Sequence, residues 1–178
     1  MPANGTESYN PTTKEIDLGI GLLDGADISS SVYTVAHELY HDYQNINGQS
    51  PLHSNLELDA YMFGTEVTKE MKTQGPFNGT YEKQIEATNA TTQAQKDFNS
   101  AWEKFLNGDY SSANYAIIDN NFLNGSKFGS QYKTYNDVTG AKPVTNDPNT
   151  LPQFLKDLGF PPGMEDGNRP SPPNPYQH

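Results

Sequence analysis

Residues 29–48 constrain the fold more than any other stretch of the chain. Ser29, Ser30 and Ser31 offer an N-cap and Gly48 a C-terminal stop. Between them Val32, Val35, Ala36, Leu39, Tyr43 and Ile46 recur at helical spacing, which predicts a helix over 30–47 with that face in the core. A second helix is predicted at 55–72, where Leu56, Ala60, Phe63, Val67 and Met71 share one side and Gly75-Pro76 ends the run. Residues 80–106 read as one interrupted helix or two. The capping box Thr92-Gln93-Ala94-Gln95 marks a fresh start, with Phe98, Ala101, Trp102 and Phe105 facing inward and Gly108 as the stop. The apolar run at 115–118 has no clear type, and the Asn-, Gly- and Thr-rich segment 119–150 reads mainly as loop. Thr150 and Pro152 open a last short helix carrying Phe154, Leu155 and Leu158, closed by Gly159.

Near the N-terminus Ile16, Leu18, Ile20 and Leu22 alternate with Glu15, Asp17, Gly19 and Gly21. Period two predicts a strand with one buried face. The turn signal Asn10-Pro11-Thr12-Thr13 suggests a hairpin that pairs residues 5–9 with 14–20. The class expected is therefore α+β: mainly helical, with a small N-terminal β-hairpin or sheet. One domain is expected over 1–160. Residues 161–178 hold six Pro and no Leu, Ile, Val or Phe, and read as a Pro-rich disordered tail.

Composition narrows the function. Only 32 of the 178 residues are Leu, Ile, Val or Phe, so the core must be small and must lean on the 11 Tyr and the single Trp. The net charge of −11 argues against a nucleic-acid backbone or an anionic membrane surface as partner. No apolar stretch is long enough for a membrane span. Met1-Pro2-Ala3-Asn4-Gly5 is not a basic region leading into an apolar one, so no signal peptide is visible. The chain has no Cys, which excludes disulfides, thiolate zinc sites and a Cys nucleophile.

Two of the four His lie four residues apart on the best helix, in His37-Glu38-Leu39-Tyr40-His41. Side chains at i and i+4 point the same way, so both imidazoles can reach one ion. Glu38, beside them, can take a proton from a metal-bound water. Zinc then needs a third protein ligand and one open position. Glu57, His53, Asp59, Glu66 and Glu70 are the choices. Glu57 is preferred, because Ala60 and Gly64 follow on its own face and let the second helix approach the first closely. The 16 residues from His41 to Glu57 suffice to turn and return antiparallel. His53, in the loop Ser50-Pro51-Leu52-His53, is the runner-up. Asp59 points away from the Glu57 face and is a candidate to orient a ligand histidine.

The pair His37-Glu38-Leu39-Tyr40-His41 and Glu57-Leu58-Asp59-Ala60 resembles the zincin metallopeptidases of the gluzincin type. The metzincin pattern fails at Gln44 and Asn47, and the aspzincin pattern fails at Gly64-Thr65-Glu66-Val67. Over residues 9–64 the chain is similar at motif level to bacterial effector and polymorphic-toxin metallopeptidase domains. One departure is Asp42, where such enzymes usually carry an uncharged residue. The resemblance implies a monomeric zinc endopeptidase with a protein or peptide substrate. One zinc ion would be held by His37, His41 and Glu57, with Glu38 as general base. It also implies export or delivery from a bacterial cell, as part of a larger protein. The alternative is a catalytically inactive zincin-like binding module. An oxyanion donor could be Tyr61, Tyr110, Tyr115, Tyr132 or Tyr135. Ile16, Leu18 and Ile20 belong either to an edge strand that pairs with substrate or to an ordinary half-buried strand.

Overall fold

The computed structural model describes residues 8–10, 12–17, 28–47, 54–74, 85–132 and 151–158. Two strands, β1 (Ser8–Asn10) and β2 (Glu15–Asp17), are followed by helices α1 (Ile28–Ile46), α2 (Ser54–Gln74), α3 (Gln93–Leu106), α4 (Ser112–Gly125) and α5 (Gln153–Leu158). The fold is mainly helical with one antiparallel hairpin, as the sequence predicts. No helix among the described residues is long and apolar enough to cross a membrane.

The hairpin pairs Ser8 with Asp17, Tyr9 with Ile16 and Asn10 with Glu15. Its turn is built by Asn10, whose side-chain oxygen accepts from the Thr12 and Thr13 amides at 3.0 and 3.2 Å. That local bond is what makes Asn a turn former. β1 lies against α1 and Ile16 is half-buried. Leu18 and Ile20 lie outside the described residues, as do Thr150, Gly159 and the tail at 161–178.

The buried stripe of α1 is not the predicted one. Leu39, Tyr43 and Ile46 are 51%, 43% and 65% exposed, and Val32 and Val35 are only half-buried. Of the predicted face only Ala36 is buried, and Tyr33, His37, Tyr40, His41 and Gln44 take the place of the others. The helix is rotated because its seam is decided by what α2 offers, and α2 offers small residues and polar partners. Ala60 is fully buried, and a Cβ on Gly64 would sit 3.0 Å from the Tyr33 carbonyl oxygen. The two helices run antiparallel: Gln44 meets Leu56, and Tyr33 meets Tyr61 and Gly64.

Leu58 and Met62, on the other side of α2, enter the main core with Ile85, Phe98, Trp102, Phe105, Tyr115, Ile118, Phe122 and Leu155. α2 is thus shared between two packings, and Phe63, Val67 and Met71, expected inside, are half-buried. The capping box at Thr92 forms as predicted, with Gln95 N donating to the Thr92 hydroxyl and the Gln95 side chain returning to the Thr92 amide. Phe98, Trp102 and Phe105 are fully buried, each stabilising by roughly 1.5–3 kcal/mol.

Residues 119–125 are helix, not loop. α4 starts at the Ser111 cap and runs through Asp119, Asn120, Asn121 and Asn124 despite their low helix propensity. Tertiary packing overrides propensity here: Phe122 is 1% exposed, and at Gly125 any Cβ would collide with Ala94 and Phe98. A helical turn at 129–132 follows. In α5 Leu155 is buried and Phe154 packs edge-on to Tyr40 and Phe63, whereas Leu158 is exposed.

Candidate metal centre

The buried face of α1 carries His37 and His41 one turn apart, and the first turn of α2 brings Glu57 to them. The two histidine Nε2 atoms are 3.2 Å apart. Glu57 Oε2 is 3.5 Å from His37 Nε2 and 3.5 Å from His41 Nε2. Zinc bound tetrahedrally at about 2.0–2.1 Å places its ligand atoms about 3.3–3.4 Å from one another. The triangle therefore has the dimensions such an ion requires. Both His are buried, and the Glu57 side chain is 14% exposed. These three residues form the one group of three or more His, Asp or Glu among the described residues that could hold a metal ion.

The electrostatics match. Burial pushes the Glu57 carboxyl up, but hydrogen bonds from His37 and His41 and their charges outweigh it and hold it down at about 2. Burial lowers His41, while Glu57, Gln44 and the Glu38 charge raise it, with a net rise. Glu57 is thus a carboxylate throughout the neutral range, as a metal ligand must be. Glu38 is buried beside this group, 7% exposed.

The residues that surround the triangle differ from those expected. His41 Nδ1 lies 2.8 Å from Gln44 Oε1, and Gln44 Nε2 donates to the Leu56 carbonyl at 2.9 Å. Asp59 does not orient a ligand histidine through a hydrogen bond. It is buried toward α4, where it accepts from the Tyr115 hydroxyl at 2.7 Å, and it reaches His41 only through its charge. Its pKa is raised by burial and by Asp119, against the Tyr115 bond. Gln44 was not singled out from the sequence as a partner of His41, although its position three residues after that histidine is a usable signal. His37 Nδ1 is buried with no hydrogen-bond partner among the described residues.

The other candidates sort themselves. Glu66 is engaged by Lys69 at 2.7 Å and Tyr110 at 3.0 Å, and Glu70 is exposed. His53 and Tyr135 lie outside the described residues. Tyr110 and Tyr115 serve Glu66 and Asp59. Tyr61 does come to the centre, its ring 4.6 Å from that of His37, and its hydroxyl meets that of Tyr132 at 3.0 Å. Burial, then the Glu57 charge, raises the Tyr132 pKa far above the ordinary phenol range. Asp42 is half-buried, and Ile16 pairs with Tyr9.

Comparison with family models, curated protein sequences and solved structures finds no match to this chain.

Proposed function

We propose that the chain is a zinc-dependent metalloendopeptidase, with one zinc ion held by His37, His41 and Glu57. The observation that carries this reading is the ligand triangle of 3.2, 3.5 and 3.5 Å, built by an H-E-x-x-H helix and a carboxylate from the next helix. A zinc ion there would polarise a substrate carbonyl and lower the pKa of a water from about 15.7 toward about 7.

The protein's own residues supply the rest. Glu38 follows His37 on the same turn and is desolvated, so it acts as the base that takes a proton from the attacking water and returns it to the leaving amine. Glu57 is kept ionised by its two histidines. Tyr61 and Tyr132 present phenols beside the centre, and a neutral phenol can donate to a developing oxyanion. The substrate is a protein or peptide in this reading. Release from a bacterial cell, as part of a larger effector or toxin, is supported by the motif-level likeness over residues 9–64.

The test is metal analysis of the purified protein together with hydrolysis of an unfolded protein substrate by wild type and Glu38→Gln. We expect one zinc per chain in both, and a loss of turnover of roughly 10²–10⁴-fold in the variant. Wild-type turnover in Glu38→Gln would eliminate the proposed base. Absence of stoichiometric zinc from both would eliminate the metal reading.

A further inference from the structure

We infer that Gln44 is a positioning residue for the metal centre: it sets the tautomer of His41 and ties the turn that carries Glu57 to the helix that carries both histidines. The metal-affinity part rests on the zinc reading above, and the tautomer part does not.

The geometry leaves little freedom. Gln44 is fully buried, so both ends of its amide need partners inside the protein. One end faces the Leu56 carbonyl at 2.9 Å. A carbonyl oxygen only accepts, so that end must be the NH2 group. The amide oxygen is thereby turned to His41 Nδ1, 2.8 Å away. An amide oxygen also only accepts, so His41 Nδ1 must carry a proton. In the neutral ring this leaves Nε2 unprotonated, with its lone pair directed toward the site of Glu57 and His37. A backbone carbonyl of α2 thus dictates, through one side chain, which nitrogen of an α1 histidine is free to bind metal.

The same side chain has a second effect. Leu56 immediately precedes Glu57, so the Gln44–Leu56 bond fixes the height of the third ligand relative to His41. Gln44 occupies the α1 position one turn beyond His41, and no other described side chain bonds His41 Nδ1. His37 has no equivalent support among the described residues. Orientation of the ligand set therefore rests on the His41 side, and Gln44 matters more there than an ordinary buried amide would.

Metal-free protein labelled with ¹⁵N in its histidines reports the tautomer directly, through long-range ¹H–¹⁵N correlations at alkaline pH, where the ring is neutral. We expect His41 to be the Nδ1–H form in wild type. In Gln44→Met, which keeps length and apolar volume but neither hydrogen bond, we expect the His41 signals to move to a mixture of tautomers. Zinc affinity, read by competition with a chromophoric chelator, should fall roughly 10–100-fold. Gln44→Glu restores the acceptor and should recover the Nδ1–H form. An Nδ1-unprotonated His41 in wild type overturns the inference. So does a folded Gln44→Met protein that keeps both the wild-type tautomer and wild-type zinc affinity. If wild type shows the Nδ1–H form yet binds no zinc, the metal reading fails, and the tautomer assignment is upheld.

Discussion

Gly64→Ala tests whether the close approach of α1 and α2 is what builds the candidate metal centre. A Cβ at residue 64 would lie 3.0 Å from the Tyr33 carbonyl oxygen and 3.3 Å from Tyr33 Cε2. Comfortable contacts are about 3.5–4.0 Å. The carbonyl belongs to the α1 backbone and cannot swing aside, so the helices must part by about 0.3–0.5 Å at this level. Glu57 lies two turns away on the same face of α2, and its carboxylate follows part of that shift. Its oxygen already stands 3.5 Å from each histidine nitrogen, at the long edge of the tetrahedral range. A ligand set tolerates only about 0.2 Å in each metal–ligand distance. We therefore expect zinc affinity to fall roughly tenfold, as for other changes that misplace a ligand. Stability should move far less. Alanine gains about 1 kcal/mol of helix propensity over glycine, against an overpacking cost of about 1–3 kcal/mol. The assay is a chelator-competition titration beside thermal unfolding of the metal-free protein. Wild-type zinc affinity in a folded Gly64→Ala protein would refute the idea that helix closeness places Glu57.

Three further outcomes are expected. In metal-free protein the lowered Glu57 pKa gives stability that is fully present above about 4.5 and is lost as pH falls toward about 2. The raised His41 pKa gives stability present below its ordinary value of 6.5 and lost as pH rises through the folded-state value. Unfolding measured against pH should show both limbs in wild type, and a Glu57→Gln protein with an unchanged acid limb would contradict the assignment. Tyr132→Phe removes the hydroxyl that bonds Tyr61, whose ring packs on His37. It should weaken zinc binding by roughly tenfold, and an unaltered chelator titration would show that the phenol does not support the ligand. Trp102→Ala empties a fully buried site between Phe98 and Phe105 and should cost about 3–5 kcal/mol in denaturant unfolding. A cost under about 1 kcal/mol would mean that α3 is not the centre of the core.

Much of the helical framework can be read without coordinates, because its signals are local. The Thr92 box forms between residues three apart, and the α3 stripe of Phe98, Ala101, Trp102 and Phe105 is strongly amphipathic and buried as expected. α4 was only partly legible. Its Asn and Asp residues favour turns on their own, and they become helical because Phe122 and Gly125 pack against α3. The face of α1 departs from its hydropathy pattern for a related reason. Hydropathy favours Leu39, Tyr43 and Ile46, whereas α2 receives Tyr33, His37, His41 and Gln44, whose polar atoms it can largely match.

By itself the sequence determined which residue types carry the candidate chemistry. His37 and His41 are four residues apart on one helix, with Glu38 next to His37, and helical periodicity alone puts the two imidazoles on one side. The small residues Ala60 and Gly64 on the same face of α2 also point to Glu57. Only the tertiary structure decided that Glu57 stands 3.5 Å from both histidines, that Asp59 turns to Tyr115, and that Gln44 meets His41 Nδ1 while Tyr132 meets Tyr61. These contacts join residues up to 71 positions apart, from Tyr61 to Tyr132. Local propensity has no information about such pairs. They exist because two helices met with one particular rotation and spacing, and that is settled by packing.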